Sequence, residues 1–201
     1  AIMAGEGAVY MERKREATKI LLQEGLKTLM KSHSFEKITV RMITDEAGVL
    51  RPTFYNYYRD KYELLEGIFR DDIEERAEEL LDEGLGEEAL KLLFFKMGKE
   101  KDFYRKAFQV TGQNSFEGIL EQYLYQVFLR DLQRYSLKNQ PAIKGWKKEV
   151  IAKFYSVSLT SIIKSWLTSE KEDIPAEEVV EGYYLLVTHS IYDLIEKKEK
   201  Q

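Results

Sequence analysis

The chain contains no cysteine, only two histidines and only three prolines among its 201 residues. The absence of cysteine excludes disulfides, thiolate metal sites and a cysteine nucleophile together, and two histidines are too few for a His-based zinc or iron site. No apolar run reaches the roughly 18 residues that a membrane span needs, and the first residues lack the pattern of a secretion signal. These absences predict a soluble, cytoplasmic protein with no metal, no cofactor and no membrane partner.

The composition fits a helical protein whose first 61 residues are basic and whose remaining residues are acidic. Hydrophobic residues make up 44% of the chain and charged residues 33%, so a core can be buried and disorder is not expected. Residues 1–61 contain 11 Lys/Arg and 8 Asp/Glu, a net +3, whereas residues 62–201 contain 20 and 27, a net −7. This division favours an anionic partner, such as nucleic acid, for the first 61 residues alone. An excess of this size also occurs in domains that bind no anion.

The hydrophobic periodicity predicts helices along almost the whole chain. Residues 1–10 are aperiodic and are expected to be an irregular arm or a tag remnant, and from Glu12 apolar residues recur at three- and four-residue steps. Thr39 and Asp60 are suited to cap helices at their starts, and Gly48 is suited to end one. Later helices are predicted over residues 39–47, from Arg51 onward, and over 60–83, 87–98, 100–111, 114–136, 142–168 and 176–198.

Helical geometry divides the third predicted helix, which begins at Arg51, into two faces. Phe54 and Tyr58 lie four residues apart and point into the core. The outward face and its flanks carry short polar groups, a proline ring and two phenols, namely Pro52, Thr53, Asn56, Tyr55 and Tyr57. Three helices with a glycine turn between the second and third form a helix-turn-helix in outline, whose third helix can enter a major groove.

Two helix starts are suited to hold phosphate. Thr39 and Arg41 lie at the start of the second helix, where unpaired N–H groups favour an anion, and Arg41 is also able to reach a guanine edge. Lys61 lies at the start of the fourth helix. The alternatives are that Arg41 pairs with Asp45 on the surface and that the tyrosines of the third helix pack on neighbouring helices.

Residues 35–65 carry a specific motif. In order it reads Phe35, Ile38-Thr39-Val40, Ala47-Gly48-Val49, Thr53-Phe54-Tyr55, Tyr57-Tyr58, Asp60-Lys61 and Leu64-Leu65. This pattern closely resembles the DNA-binding head of the TetR family of bacterial transcriptional regulators. Two later stretches, Asn114-Ser115-Phe116 and Ser165-Trp166-Leu167, resemble the branch related to dihydroxyacetone-kinase regulators.

The resemblance implies a domain division and a role for each matching residue. It implies a helix-turn-helix DNA-binding domain over residues 11–60 and a helical ligand-binding and dimerisation domain over residues 61–201. The family positions that hold the DNA backbone match Thr39, Tyr57 and Lys61. The positions that approach bases match Arg41, Thr53 and Tyr55, and Arg51 fits either role. The chain departs from the family at Leu50, where a small polar residue is common, and at Pro52, where a small residue is usual.

The body is rich in aromatic residues, since residues 91–201 contain 17 of the 25. A helical cavity lined by aromatic rings with a few polar groups suits an amphipathic small molecule, and the resemblance implies such an effector site. The candidate lining residues are Phe103, Tyr104, Phe108, Asn114, Tyr123, Phe128, Phe154, Tyr155 and Trp166. The alternative is that these rings, at helical spacing, form only a core.

The end of the chain predicts a contact between two subunits. Between Val179 and Ile195, eleven of seventeen residues are apolar or tyrosine, and a helix that is apolar nearly all round needs cover on two sides. We expect a homodimer whose interface includes Ser158, Ser161, Ser165, Tyr183, Val187, Ser190, Ile191 and Leu194. The alternative is a last helix buried deep within a monomer.

The sequence therefore predicts an all-α, homodimeric DNA-binding transcriptional regulator with no catalytic residue. It is expected to act as a repressor on a pseudo-palindromic double-stranded operator and to respond to a small-molecule effector. An alternative is a co-regulator that acts through a protein partner. An enzyme is the third option, with acidic pairs such as Asp71-Asp72 as the nominated carboxylates, although these pairs fit a solvated helix face better.

Overall fold

The computed structural model describes residues 2–134, 145–169 and 174–195, with side chains from Met11 onward, and this part of the chain is helical without any strand. Its helices are α1 (Ile2–Ser32), α2 (Val40–Ala47), α3 (Arg51–Phe54), α4 (Lys61–Phe69), α5 (Glu75–Asp82), α6 (Gly86–Lys99), α7 (Lys101–Ala107), α8 (Phe116–Arg134), α9 (Lys148–Thr168) and α10 (Ala176–Thr188). The predicted all-α class is confirmed. Within those same ranges, no helix is long and apolar enough to cross a membrane.

The chain forms two compact units. The head unit comprises Ala1–Glu75 and Asp102–Phe116, and the body unit comprises Arg76–Lys101 and Glu117–Gln201. The predicted division between residues 60 and 61 differs from these units. One reason is that Lys106 Nζ, in α7, donates to the carbonyl oxygens of Met30 (2.6 Å) and Lys31 (2.6 Å) at the end of α1, which ties α7 to the head.

Local signals in the sequence fix the ends of α2 and the start of α4. The hydroxyl of Thr39 accepts a hydrogen bond from the backbone N–H of Met42 (3.2 Å), which caps α2 as predicted. Gly48 ends α2 with φ of 65°, in the left-handed region that glycine adopts without strain. Asp60 Oδ1 accepts from the N–H of Tyr62 (2.8 Å) and of Glu63 (2.9 Å), so α4 is capped by the residue that the sequence indicates.

The core of the head unit brings α1 and α2 into close contact. A Cβ atom on Gly25 would lie only 3.2 Å from the carbonyl oxygen of Ile43 and 3.5 Å from the Cβ of Ala47, so the glycine permits this approach. The fully buried side chains of the head unit include Leu22, Leu26, Met30, Ile38, Leu64, Leu65 and Ile68. Helix α3 packs against α2.

A π-helical turn over Arg70–Glu74 follows α4 and directs two carboxylates toward α1. Asp71 pairs with Lys19 (2.8 Å), and Asp72 pairs with Lys27 (2.8 Å). The prediction that Asp71 and Asp72 lie on a solvated face is therefore wrong. Lys19 and Lys27 are eight residues apart on one face of α1, so both carboxylates find a cation there.

In the body unit, α6, α9 and α10 pack around Trp166. Its ring centroid lies 5.6 Å from that of Phe94, and its Nε1 donates to the carbonyl oxygen of Ile174 (2.8 Å). A Cβ on Gly98 would lie 3.0 Å from the indole, which shows how close α6 comes to the ring. Lys164 and Glu117 (2.7 Å) join α9 to α8.

The two ends of the chain differ from the predictions. Helix α1 begins at Ile2, not after an irregular arm over residues 1–10. Extending an existing helix avoids the cost of nucleating one, and Gly5 and Gly7 oppose this extension. Helix α10 ends at Thr188, not near residue 198, because Ser190 and Asp193 form a capping box that starts a short 3₁₀ turn over Ile191–Asp193. The predicted helix ends within 135–144 and 196–198 lie outside the described residues.

Candidate nucleic-acid interface

Helix α3 rests on two buried aromatic rings and turns its other residues outward. Phe54 is fully buried and Tyr58 is 6% exposed, as predicted. The backbone N–H groups of Tyr57 and Tyr58 both donate to the carbonyl oxygen of Phe54 (3.0 Å each), so the helix closes in a tight turn directly after Phe54. The segment is therefore short and held rigidly from beneath.

Most of the predicted reading residues lie on the outer surface of this segment. Arg51, Pro52, Tyr55 and Asn56 are exposed, and Thr53 and Tyr57 are half-buried. The guanidinium of Arg51 donates to the hydroxyl of Tyr55 (3.2 Å) and lies 5.8 Å from the centre of its ring. This contact restricts both side chains before any partner binds, which lowers the entropy cost of binding.

The start of α2 presents the second predicted group, Thr39 and Arg41. Both are exposed, and the Arg41 side chain is 83% accessible. Its Nε lies 3.6 Å from Asp45 Oδ2, so the alternative surface pair is present. An exposed pair of this kind contributes about 0–1 kcal/mol, which is less than a bidentate contact with a guanine. Arg41 is therefore able to leave Asp45 for a base.

Lys61, predicted to contact phosphate, makes its hydrogen bonds within the head unit. Its Nζ donates to the carbonyl oxygens of Phe35 (2.7 Å), Glu36 (3.0 Å) and Ile38 (2.8 Å). An ammonium group has three N–H donors, and all three are used inside the head unit. Burial lowers the pKa of Lys61, with the nearby Glu36 opposing the shift. In this arrangement Lys61 fastens α4 to the turn before α2.

A buried polar network beneath α3 was not predicted from the sequence. Gln23 Nε2, in α1, donates to the Tyr58 hydroxyl (3.2 Å) and to Asp71. Burial, partly opposed by the Gln23 hydrogen bond, raises the pKa of Tyr58 to about 12. A Cβ on Gly67 would lie 2.8 Å from the Tyr58 ring. The sequence features that could have indicated this network are Gln23 within the apolar stripe of α1 and Gly67 within that of α4.

The predicted effector residues do not gather around one cavity. Phe103, Tyr104 and Phe108 are buried in the head unit, where Phe108 and Phe116 have ring centroids 5.1 Å apart, and Asn114 is exposed. In the described structure these rings pack as core of the head unit, which contains residues 102–116. Their predicted role in an effector site stays a prediction.

The remaining effector candidates lie in the body unit. Tyr123, Phe128 and Tyr155 are half-buried, with the rings of Phe128 and Tyr155 5.6 Å apart. Trp166 is held in the core, and Phe154 is 63% exposed. Phe154 instead lines a surface groove of about 910 Å³ between α8 and α9, together with Gln122, Tyr125, Glu149, Val150, Lys153, Val157, Ser158 and Ser161.

The predicted dimer residues divide between exposed and buried positions. Ser161 and Ser165 are exposed on α9, and Ser158 and Val187 are half-buried. Ser190, Ile191 and Leu194 are exposed beyond the end of α10. Tyr183 is 5% exposed, so it has little surface left for a second subunit, and burial raises its pKa to about 12. The predicted interface stays a prediction.

Potential metal ligands do not cluster anywhere in the residues that the structure describes. The candidate interface is an exposed set of cationic, phenolic and small polar groups on a short helix and the turn after it, preceded by a capped helix and a glycine turn. A helix-turn-helix with such a surface defines the class of DNA-binding transcriptional regulators.

Family models place the chain within this class. The model described as "Bacterial regulatory proteins, tetR family" matches residues 24–68, and the model described as "Transcriptional regulator C-terminal region" matches residues 87–188. The second match spans half of the chain, and the protein belongs to the TetR family. The members of this family are transcriptional regulators and not enzymes.

Individual relatives agree with this assignment. The chain is 32% identical over 104 residues to the HTH-type dhaKLM operon transcriptional activator DhaS of Lactococcus lactis subsp. lactis (strain IL1403). That match covers 51% of this chain and 56% of the relative, so it spans about half the relative's length. It agrees with the resemblance to dihydroxyacetone-kinase regulators at residues 114–116 and 165–167.

Solved structures share the fold. One, named "Dihydroxyacetone kinase operon activator DhaS", has a TM-score of 0.63 and 22% identity, and the match covers 90% of this chain and 98% of that chain. Another, the Thermus thermophilus FadR, a TetR family repressor in complex with lauroyl-CoA, has a TM-score of 0.57 and 17% identity, with 91% and 98% covered.

Proposed function

We propose that the protein binds a pseudo-palindromic operator as a homodimer through the exposed surface of α3 and the start of α2. The observation that carries the proposal is the set of exposed groups on α3 and the turn that follows it, namely Arg51, Pro52, Tyr55 and Asn56, next to the buried Phe54 and Tyr58. Arg51 and Arg41 supply guanidinium forks for guanine edges. Thr39 and Tyr57 are suited to phosphate oxygens, and Pro52, Thr53, Tyr55 and Asn56 to base edges and sugars.

Selection from random duplexes with the full chain tests this proposal. We expect enrichment of a two-fold symmetric sequence whose half-sites are about 34–36 Å apart, or a multiple of that distance. Arg41→Ala is expected to lose about 1–3 kcal/mol at one base position in each half-site. Arg76→Ala is the matched control, since Arg76 is also exposed and paired on its own helix, with Glu79, but lies in the body unit. If no duplex is retained and a protein partner is captured instead, the co-regulator alternative replaces this proposal.

A small molecule bound to the body unit is proposed to change operator affinity. Support comes from the match to a regulator C-terminal region and from the lauroyl-CoA in the T. thermophilus relative. An effector acts only through a difference in affinity for two conformations of the protein. Operator titrations with and without dihydroxyacetone or lauroyl-CoA test the idea. Effector titrations with and without operator provide a check, because linkage requires the operator to change the affinity for the effector by the same factor. An unchanged operator affinity with both probes would count against these two chemical classes.

The direction of regulation has two candidates. The sequence predicts repression, and the name of the L. lactis relative favours activation. A reporter gene placed behind the selected operator separates them: expression falls upon addition of a repressor and rises upon addition of an activator.

A further inference from the structure

Leu50 is an apolar side chain in the most exposed part of the candidate interface. It is 77% exposed, the largest value for a large apolar side chain among the described residues of the head unit. It occupies the N-cap position of α3, with φ −75° and ψ 143°, and provides no side-chain hydrogen bond. Thr39 and Asp60 do cap the helices on either side. At Leu50 the N-cap position of α3 therefore lacks a favourable capping side chain and carries an exposed hydrocarbon group.

The turn before α3 does not require this leucine. In the turn after α2, the N–H of Val49 donates to the carbonyl oxygen of Thr44 (3.0 Å), so Val49 is the apolar residue that such a glycine turn uses. A second turn of the same type follows α5, where the N–H of Leu85 donates to the carbonyl oxygen of Leu80 (2.8 Å). Leu85 therefore occupies the same position in its turn as Val49 does after α2, whereas Leu50 lies one residue after that position.

The neighbours of Leu50 are groups suited to read DNA. Arg51 follows it directly, oriented by the Tyr55 ring. An isolated exposed leucine is ordinary on a protein surface, but here it replaces a cap next to a base-reading cation. The apolar feature that the major groove offers is the 5-methyl group of thymine. A branched aliphatic side chain fits that group and does not fit the amino group of cytosine.

We propose that Leu50 is a specificity-determining residue that packs against a thymine 5-methyl group in each operator half-site. The proposal rests on the operator binding proposed above. It adds a preference for thymine at one position, next to the base read by Arg51.

Deoxyuridine substitution tests the contact, because uracil differs from thymine only by the missing methyl group. In the selected duplex, each thymine of one half-site is replaced in turn by deoxyuridine. The wild-type protein is expected to lose about fourfold in affinity at one position, the value of one buried methyl-sized group. Leu50→Ser is expected to bind the thymine duplex about fourfold more weakly and to be indifferent to deoxyuridine at that position. Its thermal midpoint is expected to stay the same or rise, since serine caps the helix.

Leu85→Ser is the matched control, because it also replaces an uncapped N-cap leucine, at the start of α6, and lies in the body unit. It is expected to keep wild-type operator affinity and wild-type sensitivity to deoxyuridine. The proposal is overturned if the wild type is indifferent to deoxyuridine at every thymine, or if Leu50→Ser keeps the wild-type sensitivity. It is also overturned if Leu50→Ser lowers the thermal midpoint and weakens all duplexes equally. If the wild type selects no duplex, the proposed function itself fails, and the inference fails with it.

Discussion

At the scale of single residues, the use of each polar group decides whether it is available to a partner. Arg41 has only a weak surface pair to give up, whereas Lys61 donates to three carbonyl oxygens and lies 4.7 Å from the centre of the Phe35 ring. Both are cations in the head unit of a DNA-binding protein, and their sequence positions look equally suited to phosphate. Their contacts in the fold separate them.

Replacing Lys61 with methionine is expected to destabilise the head unit without removing a DNA contact. Lys61→Met removes a charged donor from three carbonyl oxygens, of which that of Phe35 also accepts from the Ile38 N–H (3.1 Å), and the loss costs about 1–3 kcal/mol. Operator affinity then falls only because the head is less ordered, and the dependence of log K on log [salt] keeps its wild-type slope. Chemical denaturation and operator titrations at several salt concentrations measure both quantities. Lys37→Met, at a nearby exposed lysine, is the control for loss of charge. A slope reduced by about one unit in Lys61→Met would instead support the predicted contact between Lys61 and a phosphate.

Tyr58 makes the stability of the head depend on pH in the alkaline range. Burial raises its pKa to about 12 from an ordinary value of 10, so the folded state keeps a proton that the unfolded state releases near pH 10. The stabilisation is complete below pH 10 and declines as pH rises, by up to about 1.4 kcal/mol per unit until about pH 12. Tyr58→Phe removes this contribution. Denaturation at pH 9 and pH 11.5 should show a smaller pH-dependent loss in the variant than in the wild type, and equal losses would contradict the assignment. Tyr183, with the same raised pKa, remains in both proteins.

At the scale of elements, the sequence predicts helix ends that depend on neighbouring residues, and it does not predict features that depend on residues far away in the chain. The ends of α2 and the start of α4 follow from Thr39, Gly48 and Asp60, whose capping geometry involves only neighbouring backbone. The π-helical turn over Arg70–Glu74 could not be predicted, because its carboxylates are placed by two lysines more than forty residues earlier in the chain. Gln23 is buried for the same reason, since its partners lie on distant elements.

The recognition motif could be predicted from the spacing of residues along the chain, whereas the effector site could not. Phe54 and Tyr58 could be assigned to the core because their spacing defines one helix face. The spacing of the aromatic residues beyond position 91 shows that rings are buried and does not show whether a cavity remains between them. It also gives no sign that Phe103, Tyr104 and Phe108 pack in the head unit.

The turn between α2 and α3 is expected to tolerate only glycine without loss. Gly48 has φ of 65°, and no atom lies within 4 Å of a Cβ built on it. Gly48→Ala should therefore cost about 1–2 kcal/mol from backbone strain alone. Gly86 also has open space but lacks a positive φ and begins α6, so Gly86→Ala should stabilise the protein by about 0.4–1 kcal/mol. Thermal unfolding of the two variants checks the opposite signs, and destabilisation of similar size in both would show that the left-handed backbone is not the cause.

At the scale of the whole molecule, the body unit presents apolar surface that a monomer leaves uncovered. On α9, Val150, Phe154 and Val157 are 50%, 63% and 43% exposed, and on α10 Leu185 and Leu186 are 48% and 52% exposed. The described part of α10 is thus not buried on all sides, which argues against the alternative of a deeply buried last helix. Exposed apolar side chains of this kind are suited to the proposed subunit contact, and a two-fold symmetric dimer would bury the same side chains on both subunits.

Operator binding is expected to depend on these exposed apolar side chains of α9 and α10. Phe154→Glu places a charge at the centre of the α9 face, and burying it against its symmetry mate would bring two like charges together. The variant is expected to sediment as a monomer at concentrations where the wild type is a dimer, while its unfolding as a monomer is little changed because Phe154 is already mostly exposed. Affinity for the pseudo-palindromic duplex should fall steeply, whereas affinity for a single half-site should match that of the wild type, because the reading surface is intact. Leu21→Glu, at an exposed position on α1 in the head unit, controls for a new surface charge and should remain dimeric. A dimeric Phe154→Glu protein with wild-type operator affinity would place the subunit contact elsewhere on the molecule.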